Sequence, residues 1–164
     1  MAKLVLINLL LMLLWPALNQ EFTPGAFAFG FLSGLVLLTL VERSYGRRIV
    51  HTVGFIFYVM WEIVVSNVKL AALVLYPGKL TEKLDCCIVG IPLTASTDVE
   101  ITLLASVITL TPGTISVDMI PDSQGNKILY VHDLLVGQGK EQAFRDSIKN
   151  GFERRILQIT RGDA

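Results

Sequence analysis

The residue types that usually carry chemistry are sparse in this chain, and their spacing excludes most reactions. His51 and His132 stand at no metal-ligand spacing from the adjacent Cys86 and Cys87. Asp118, Asp122 and Asp133 could mimic a carboxylate cluster, but a strand, a turn and a second strand are the ordinary setting for such residues. No glycine-rich phosphate loop is present, and no nucleophile stands in a pattern with a base. The sequence therefore predicts no catalytic residue, no metal site and no cofactor. A disulfide between neighbouring cysteines is strained, so Cys86 and Cys87 read as buried thiols of a reducing compartment.

Ion transport is a sharper test. Moving protons or sodium through a bilayer requires ionisable groups inside it. Within the apolar stretches only Glu62 and Lys69 qualify, and two helical turns set them about 10 Å apart, too far for a direct pair. A relay cannot be built from these two groups, so any part in transport is an accessory one.

Of the 164 residues, 52% are hydrophobic and only 17% charged, against about 25% in an ordinary soluble domain. The 14 basic and 14 acidic residues cancel, which leaves no surplus for phosphate neutralisation and argues against nucleic acid as a partner. The charges are unevenly placed. Up to Val41 only Lys3 and Glu21 are charged, and most of the remainder lie beyond Pro77. The chain thus reads as membrane-embedded helices over 1–76 and a small α/β domain over 77–164, divided at Tyr76-Pro77-Gly78.

Three apolar segments make up the front. The first, 4–18, is apolar except for Asn8 and spans about 22 Å, short of a hydrocarbon core near 30 Å; Trp15-Pro16 closes it. Its alternative reading is a cleaved signal peptide, against which stand a poor cleavage pattern and the apolar segment that follows. The second, 22–41, is long enough to cross, with Thr23 as N-cap and Pro24 at the first helical position. Ala26, Gly30 and Gly34 recur every fourth residue and form a small-residue stripe on which another helix, such as the first, can pack closely. Asn8 could hydrogen-bond across that contact. The link from Glu42 to Arg48 carries three arginines against one glutamate and is cytoplasmic by the positive-inside rule, which puts the N-terminus on the same side.

The third segment, 52–76, is ambiguous. His51, Tyr58, Glu62, Ser66, Lys69 and Tyr76 form one polar stripe on an otherwise apolar helix. A crossing helix would turn that stripe to partner subunits; a helix lying in the cytoplasmic interface would put its apolar face down. Both readings stand at this point.

The rear is predicted as strand, helix, strand, strand, helix. Leu84 to Leu93 reads as a buried strand ended by Pro92. Thr97-Asp98-Val99-Glu100 is a capping box, opening a helix with Ile101, Leu104, Ala105 and Ile108 on one face. That helix stops at Thr111-Pro112-Gly113. Ile115, Val117 and Met119 alternate with polar residues as in a half-buried strand, and a turn leads to a second strand over 127–136. The last helix, 140–160, buries Phe144, Ile148, Phe152, Ile156 and Ile159. This order suits a sheet covered on one side by two helices, in a membrane-anchored α/β chain.

The run from Asn8 to Trp15, Phe22-Thr23-Pro24 entering a glycine-rich helix, Ile101 to Thr114 with its Ile108-Thr109-Leu110-Thr111-Pro112-Gly113-Thr114 core, and Leu129-Tyr130-Val131-His132 resemble the E-type component of Mrp-type multisubunit sodium/proton antiporters. The resemblance covers nearly the whole chain. It implies a multi-pass subunit of a bacterial or archaeal inner membrane, with a cytoplasmic C-terminal domain and a role in assembly. Larger subunits would carry the ions, and the partners would be the A, B, C, D, F and G types together with membrane lipid. It tips the third segment toward the in-plane reading and makes Thr111-Pro112-Gly113 a structural corner. The alternatives are the equivalent subunit of a related membrane-bound hydrogenase, a freestanding membrane-anchored binding module, and a membrane-bound hydrolase using Asp118 and Asp133.

Overall fold

The computed structural model describes residues 2–75, 86–123, 125–134 and 139–162. Tyr76-Pro77-Gly78, Leu84 and residues 135–138 lie outside them. The chain divides into two compact units, residues 1–52 and 53–164. The division falls at the start of the third apolar segment, which belongs with the α/β module.

In the first unit, α1 (Ala2–Asn19) and α2 (Pro24–Val41) form an antiparallel hairpin. Helix α1 runs through Pro16 rather than stopping there. Its end is at Asn19, whose amide Nδ2 donates to the Trp15 carbonyl at 2.9 Å, followed by Gln20 in the left-handed region. Helix α2 starts as its sequence predicts: Thr23 Oγ1 accepts from the Ala26 amide and Pro24 takes the first turn. Its end is Glu42, one extended residue after which α3 (Arg43–Leu75) begins.

The second unit is built on a three-stranded antiparallel sheet in the order β1 (Cys87–Pro92), β3 (Lys127–Asp133), β2 (Thr114–Pro121). Val89, Ile91, Leu129 and Val131 point from its inner face into the core. They meet Leu104, Val107 and Ile108 of α4 (Asp98–Leu110), and Ile148, Phe152 and Ile156 of the last helical run. Phe55 and Val59 of α3 belong to the same core, so a third helix covers the sheet beside the two expected.

The last run is α5 (Glu141–Ile148), a π-helical turn (Lys149–Glu153) and α6 (Arg154–Arg161). The irregularity has a sequence cause. Phe144, Ile148, Phe152 and Ile156 recur every four residues, and each step overshoots the 3.6-residue period of an α-helix. A wider turn between Ile148 and Arg154 absorbs the drift and keeps Phe152 and Ile156 on the core side.

Strand β2 departs from its predicted facing. Ile115, Val117 and Met119 are exposed, while Thr114 and Ser116 turn inward. Two features override the apolar alternation. The Ser116 hydroxyl donates to the Ala105 carbonyl of α4 at 3.0 Å, and the Thr114 hydroxyl donates to the Ile108 carbonyl. A bulge at Val117 then shifts the register, so the strand does not hold one alternation throughout. The outer face of the sheet consequently presents Ile88, Ile115 and Ile120 to the surroundings.

Candidate functional site

The hairpin owes its closeness to Gly30 and Gly34, both buried. A Cβ at Gly30 would stand 2.8 Å from Trp15 Cβ and 3.0 Å from the Met12 carbonyl oxygen. That carbonyl is the one Pro16 leaves without its helical donor, because proline has no N–H. Gly34 repeats the arrangement one turn on, where its Cα faces Asn8 Oδ1. Asn8 is 1% exposed and its Nδ2 donates to the Tyr45 hydroxyl at 3.1 Å, while Oδ1 receives no N–H or O–H donor. Asn8 therefore clamps α1 to both α2 and the first turn of α3. Ala26 is half-buried near the start of α2, where its amide donates to Thr23 Oγ1. Trp15 and Phe29 add a tilted ring contact at 4.6 Å.

In the second unit the polar stripe of α3 faces the chain's own module. Tyr58 meets the Phe152 ring edge-on at 5.5 Å, and the Arg155 guanidinium lies 3.8 Å over its face. The π-helical turn brings Gly151 against the Tyr58 hydroxyl, where a Cβ would come within 2.6 Å. Glu62, Ser66 and Lys69 continue the stripe along a cavity of about 280 Å3 that Thr111, Pro112, Thr114, Asp133 and Ser147 complete. Sequence periodicity located this stripe. That it packs on the module was beyond the sequence, since nothing local encodes which surface meets a helix face.

Thr111, Pro112 and Gly113 form the corner between α4 and β2. Thr111 caps α4, with its amide and hydroxyl both donating to the Ile108 carbonyl. Gly113 adopts φ 95°, which side-chain-bearing residues avoid, and its carbonyl accepts from the Leu134 amide at 2.9 Å.

Two buried carboxylates fix the loop between β1 and α4. Glu100 completes the capping box with Thr97 and also binds Thr160 and Arg161 of α6, with Arg161 Nη2 at 2.8 Å from Oε2. The Arg161 hydrogen bonds hold the Glu100 carboxyl well below the usual carboxylate range, against the opposing effect of burial; those from Thr160 and the Ser96 and Thr97 amides add to it. Glu153 accepts from the Thr94 and Ala95 amides. The capping box was legible in the sequence. The reach to Arg161, sixty-one residues away, was not.

The remaining chemistry-bearing residues do not converge. Asp118 accepts from the Met119 amide, and Asp122 closes its turn with Asn126 at 2.8 Å. Asp133 is buried at the end of β3, and His132 stands on the opposite sheet face. Cys86 is exposed rather than buried, because it precedes the first strand pairing, and Cys87 is half-buried. Among the described residues no three His, Cys, Asp or Glu side chains could hold a metal ion together.

This combination of glycine-packed apolar hairpin, long helix and small α/β module occurs in known proteins. The profile of the family described as Na+/H+ ion antiporter subunit matches residues 8–159. The E-type Na(+)/H(+) antiporter subunit of Alkalihalophilus pseudofirmus is 34% identical, over 98% of this chain and 100% of that protein. Its counterpart in Bacillus subtilis is 29% identical over the same shares. A chain of the membrane-bound sulfane sulfur reductase, an archaeal respiratory membrane complex, shares the fold with a TM-score of 0.53 at 23% identity, over 97% of this chain and 99% of that one. The chain belongs to the Na+/H+ ion antiporter subunit family.

Proposed function

We propose that this chain is an accessory subunit that conducts no ions and catalyses no reaction, and that it supports the assembly and stability of a multisubunit Na+/H+ antiporter in a bacterial or archaeal cell membrane. One observation carries the reading. Among the described residues of α1 and α2, Asn8 is the only buried side chain with polar atoms, and it is committed to Tyr45 and Gly34. A proton or sodium path needs titratable groups within the membrane, and the ionisable side chains of this hairpin, Lys3 and Glu21, stand only at its ends. The larger subunits of the complex carry the ions. The module from Val53 onward lies on the cytoplasmic side, a reading supported by Arg43, Arg47 and Arg48 at the end of the hairpin.

Deleting the gene tests this directly. The expected result is a sodium-sensitive strain in which the remaining subunits no longer migrate as the full complex on blue-native gels. Wild-type sodium tolerance with an intact complex would refute the reading, and so would Na+/H+ exchange by the purified chain alone in liposomes. Exposed Cys86 reports the side: a membrane-impermeant maleimide should label it in inverted vesicles and not in intact cells.

A further inference from the structure

The outer face of the sheet is apolar where a wet face would be polar. An antiparallel sheet covered on one side alternates apolar residues inward with polar residues outward. Here Ile88 of β1, His132 of β3 and Ile115 of β2 stand in one outward row by register, and Pro92, Ile128 and Ile120 in another. Strand β2 inverts the rule outright: Thr114 and Ser116 turn inward to α4, and its isoleucines turn outward. Ile88, Ile115 and Ile120 are 60%, 56% and 49% exposed. The row between them is flat at its centre. A Cβ at Gly90 would stand 3.3 Å from both Ile128 Cγ2 and Tyr130 Cε1, so those two side chains lie across the glycine. That row ends in exposed Asp118, the one fully charged residue of the three rows.

Side chains block both edges of the sheet against a further strand. On β2 the Ser116 amide donates to Thr109 Oγ1 at 3.2 Å and the Met119 amide to Asp118 Oδ1 at 2.7 Å. On β1 the Gly90 carbonyl accepts from Arg145 Nε at 2.8 Å. A strand added at either edge would have to displace these groups, so a partner comes face-on. Asp118 excludes lipid, because acyl chains would strip its carboxylate of water and anionic headgroups would repel it. Size excludes a second copy held by this face alone. Three strands with three outward positions each cover about 300 Å2, whereas a stable pair of free chains buries about 800 Å2 on each side. A face this small holds a partner that is already tethered beside it, as the subunits of one membrane complex are.

We propose that the outer face of the sheet seats an apolar helix of another antiporter subunit, laid across the isoleucine rows with a Lys or Arg side chain opposite Asp118. Helices already cover the inner face, and a helix on the outer face completes the layered packing of a sheet that is apolar on both sides. Charge complementarity fixes the partner's chemistry. Covering Asp118 without a basic partner would leave a desolvated carboxylate unpaired, while every other position of the three rows asks only for uncharged contact. The inference deepens the accessory reading given above and rests on it.

The full-length chain with Ile120→p-benzoylphenylalanine, in cells that make the whole complex, reports what touches the face. Ultraviolet light is expected to yield an adduct with a different subunit of the same complex, which mass spectrometry places in an apolar helical peptide holding a Lys or Arg. An adduct with a second copy of this chain, an adduct with lipid, or no adduct overturns the proposal. The Ile115→Lys and Asp118→Lys variants test the contact energetically. Both side chains are exposed, so each variant should keep the near-ultraviolet circular dichroism of the isolated chain. Each should also copurify with the other subunits about tenfold less well, or worse. Copurification equal to wild type in either variant overturns the proposal. The two readings fail separately. If the wild-type chain copurifies and the Ile120 adduct lies elsewhere, only the docking face is refuted; if the wild-type chain does not copurify at all, the accessory reading falls and takes the docking face with it.

Discussion

Gly34→Ala gives the most discriminating test of the hairpin. The added methyl would land on Asn8 Oδ1 and 3.2 Å from Leu11 Cβ. Leu11 can yield by a few tenths of an ångström; Asn8 cannot stay where it is. Either it swings away and loses its 3.1 Å bond to the Tyr45 hydroxyl, or α1 and α2 separate. Losing the bond costs about 0.6–1.7 kcal/mol inside a membrane. Forcing a methyl into a filled contact costs about 1–3 kcal/mol. Gly34→Ala is therefore expected to destabilise by about 1–3 kcal/mol. The coupling is the real test. Asn8→Ala removes the obstructing oxygen, so adding Gly34→Ala to it should cost less than about 0.5 kcal/mol more. Gly30→Ala should resist the same rescue, because its methyl meets Met12 backbone at 3.0 and 3.1 Å, and backbone cannot swing aside. Thermal unfolding of the detergent-extracted complex, with blue-native gels for assembly, reads all five variants. If the Asn8→Ala background leaves the cost of Gly34→Ala undiminished, the account of Asn8 and Gly34 as one packed unit is wrong.

The other predictions concern the module. Gly151→Ala should loosen α3 from it by about 1–3 kcal/mol through collision with the Tyr58 hydroxyl, and Tyr58→Phe should relieve much of that cost; hydrogen exchange over 53–66 measures both. Glu100→Gln should cost about 1–3 kcal/mol at neutral pH by disrupting its hydrogen bonds to Arg161 and Thr160. The Glu100 pKa is depressed in the folded chain, so its contribution is fully present above about pH 4.3, the unfolded value, and is lost only as pH falls through the lower folded value. The gap between wild type and Glu100→Gln should hence stay constant from pH 6 to 9 and shrink in acid, as followed by near-ultraviolet circular dichroism. Thr114→Val, which removes the hydroxyl bound to the Ile108 carbonyl, should cost about 1 kcal/mol, whereas Ile115→Thr on the exposed face should stay within about 0.5 kcal/mol in the isolated chain.

What the sequence made legible is what neighbouring residues decide among themselves. Thr23-Pro24 opens α2, Thr97 with Glu100 opens α4, and Pro112-Gly113 turns the chain into β2, because each signal acts within a few residues. The continuation of α1 through Pro16 was hidden, because the packing of α2 against that turn, with Gly30 beside the Met12 carbonyl, is not a local signal. The facing of β2 was hidden for a similar reason. Hydroxyl bonds from Thr114 and Ser116 to carbonyls of α4 outweigh the alternation of Ile115 and Val117, and those carbonyls become partners only once the helix has docked.

The same contrast bears on α3. Its hydropathy alone describes a transmembrane span, and its polar stripe alone describes a contact of unspecified kind. The two observations become one when the stripe is seen to seat on the module, since Tyr58 packs on Phe152 and Arg155 and Glu62 and Lys69 line a cavity of the same domain, which leaves the outward side of the helix without charge. A subunit made this way needs no ionisable group within the bilayer. Its buried polar groups are committed to holding parts of itself together, Asn8 in the hairpin and Glu100 and Glu153 in the module. Its exposed apolar surface lies on the outward stripe of α3 and the open face of the sheet. Surface of that kind binds lipid and protein and moves no charge, which is the physical content of an accessory role.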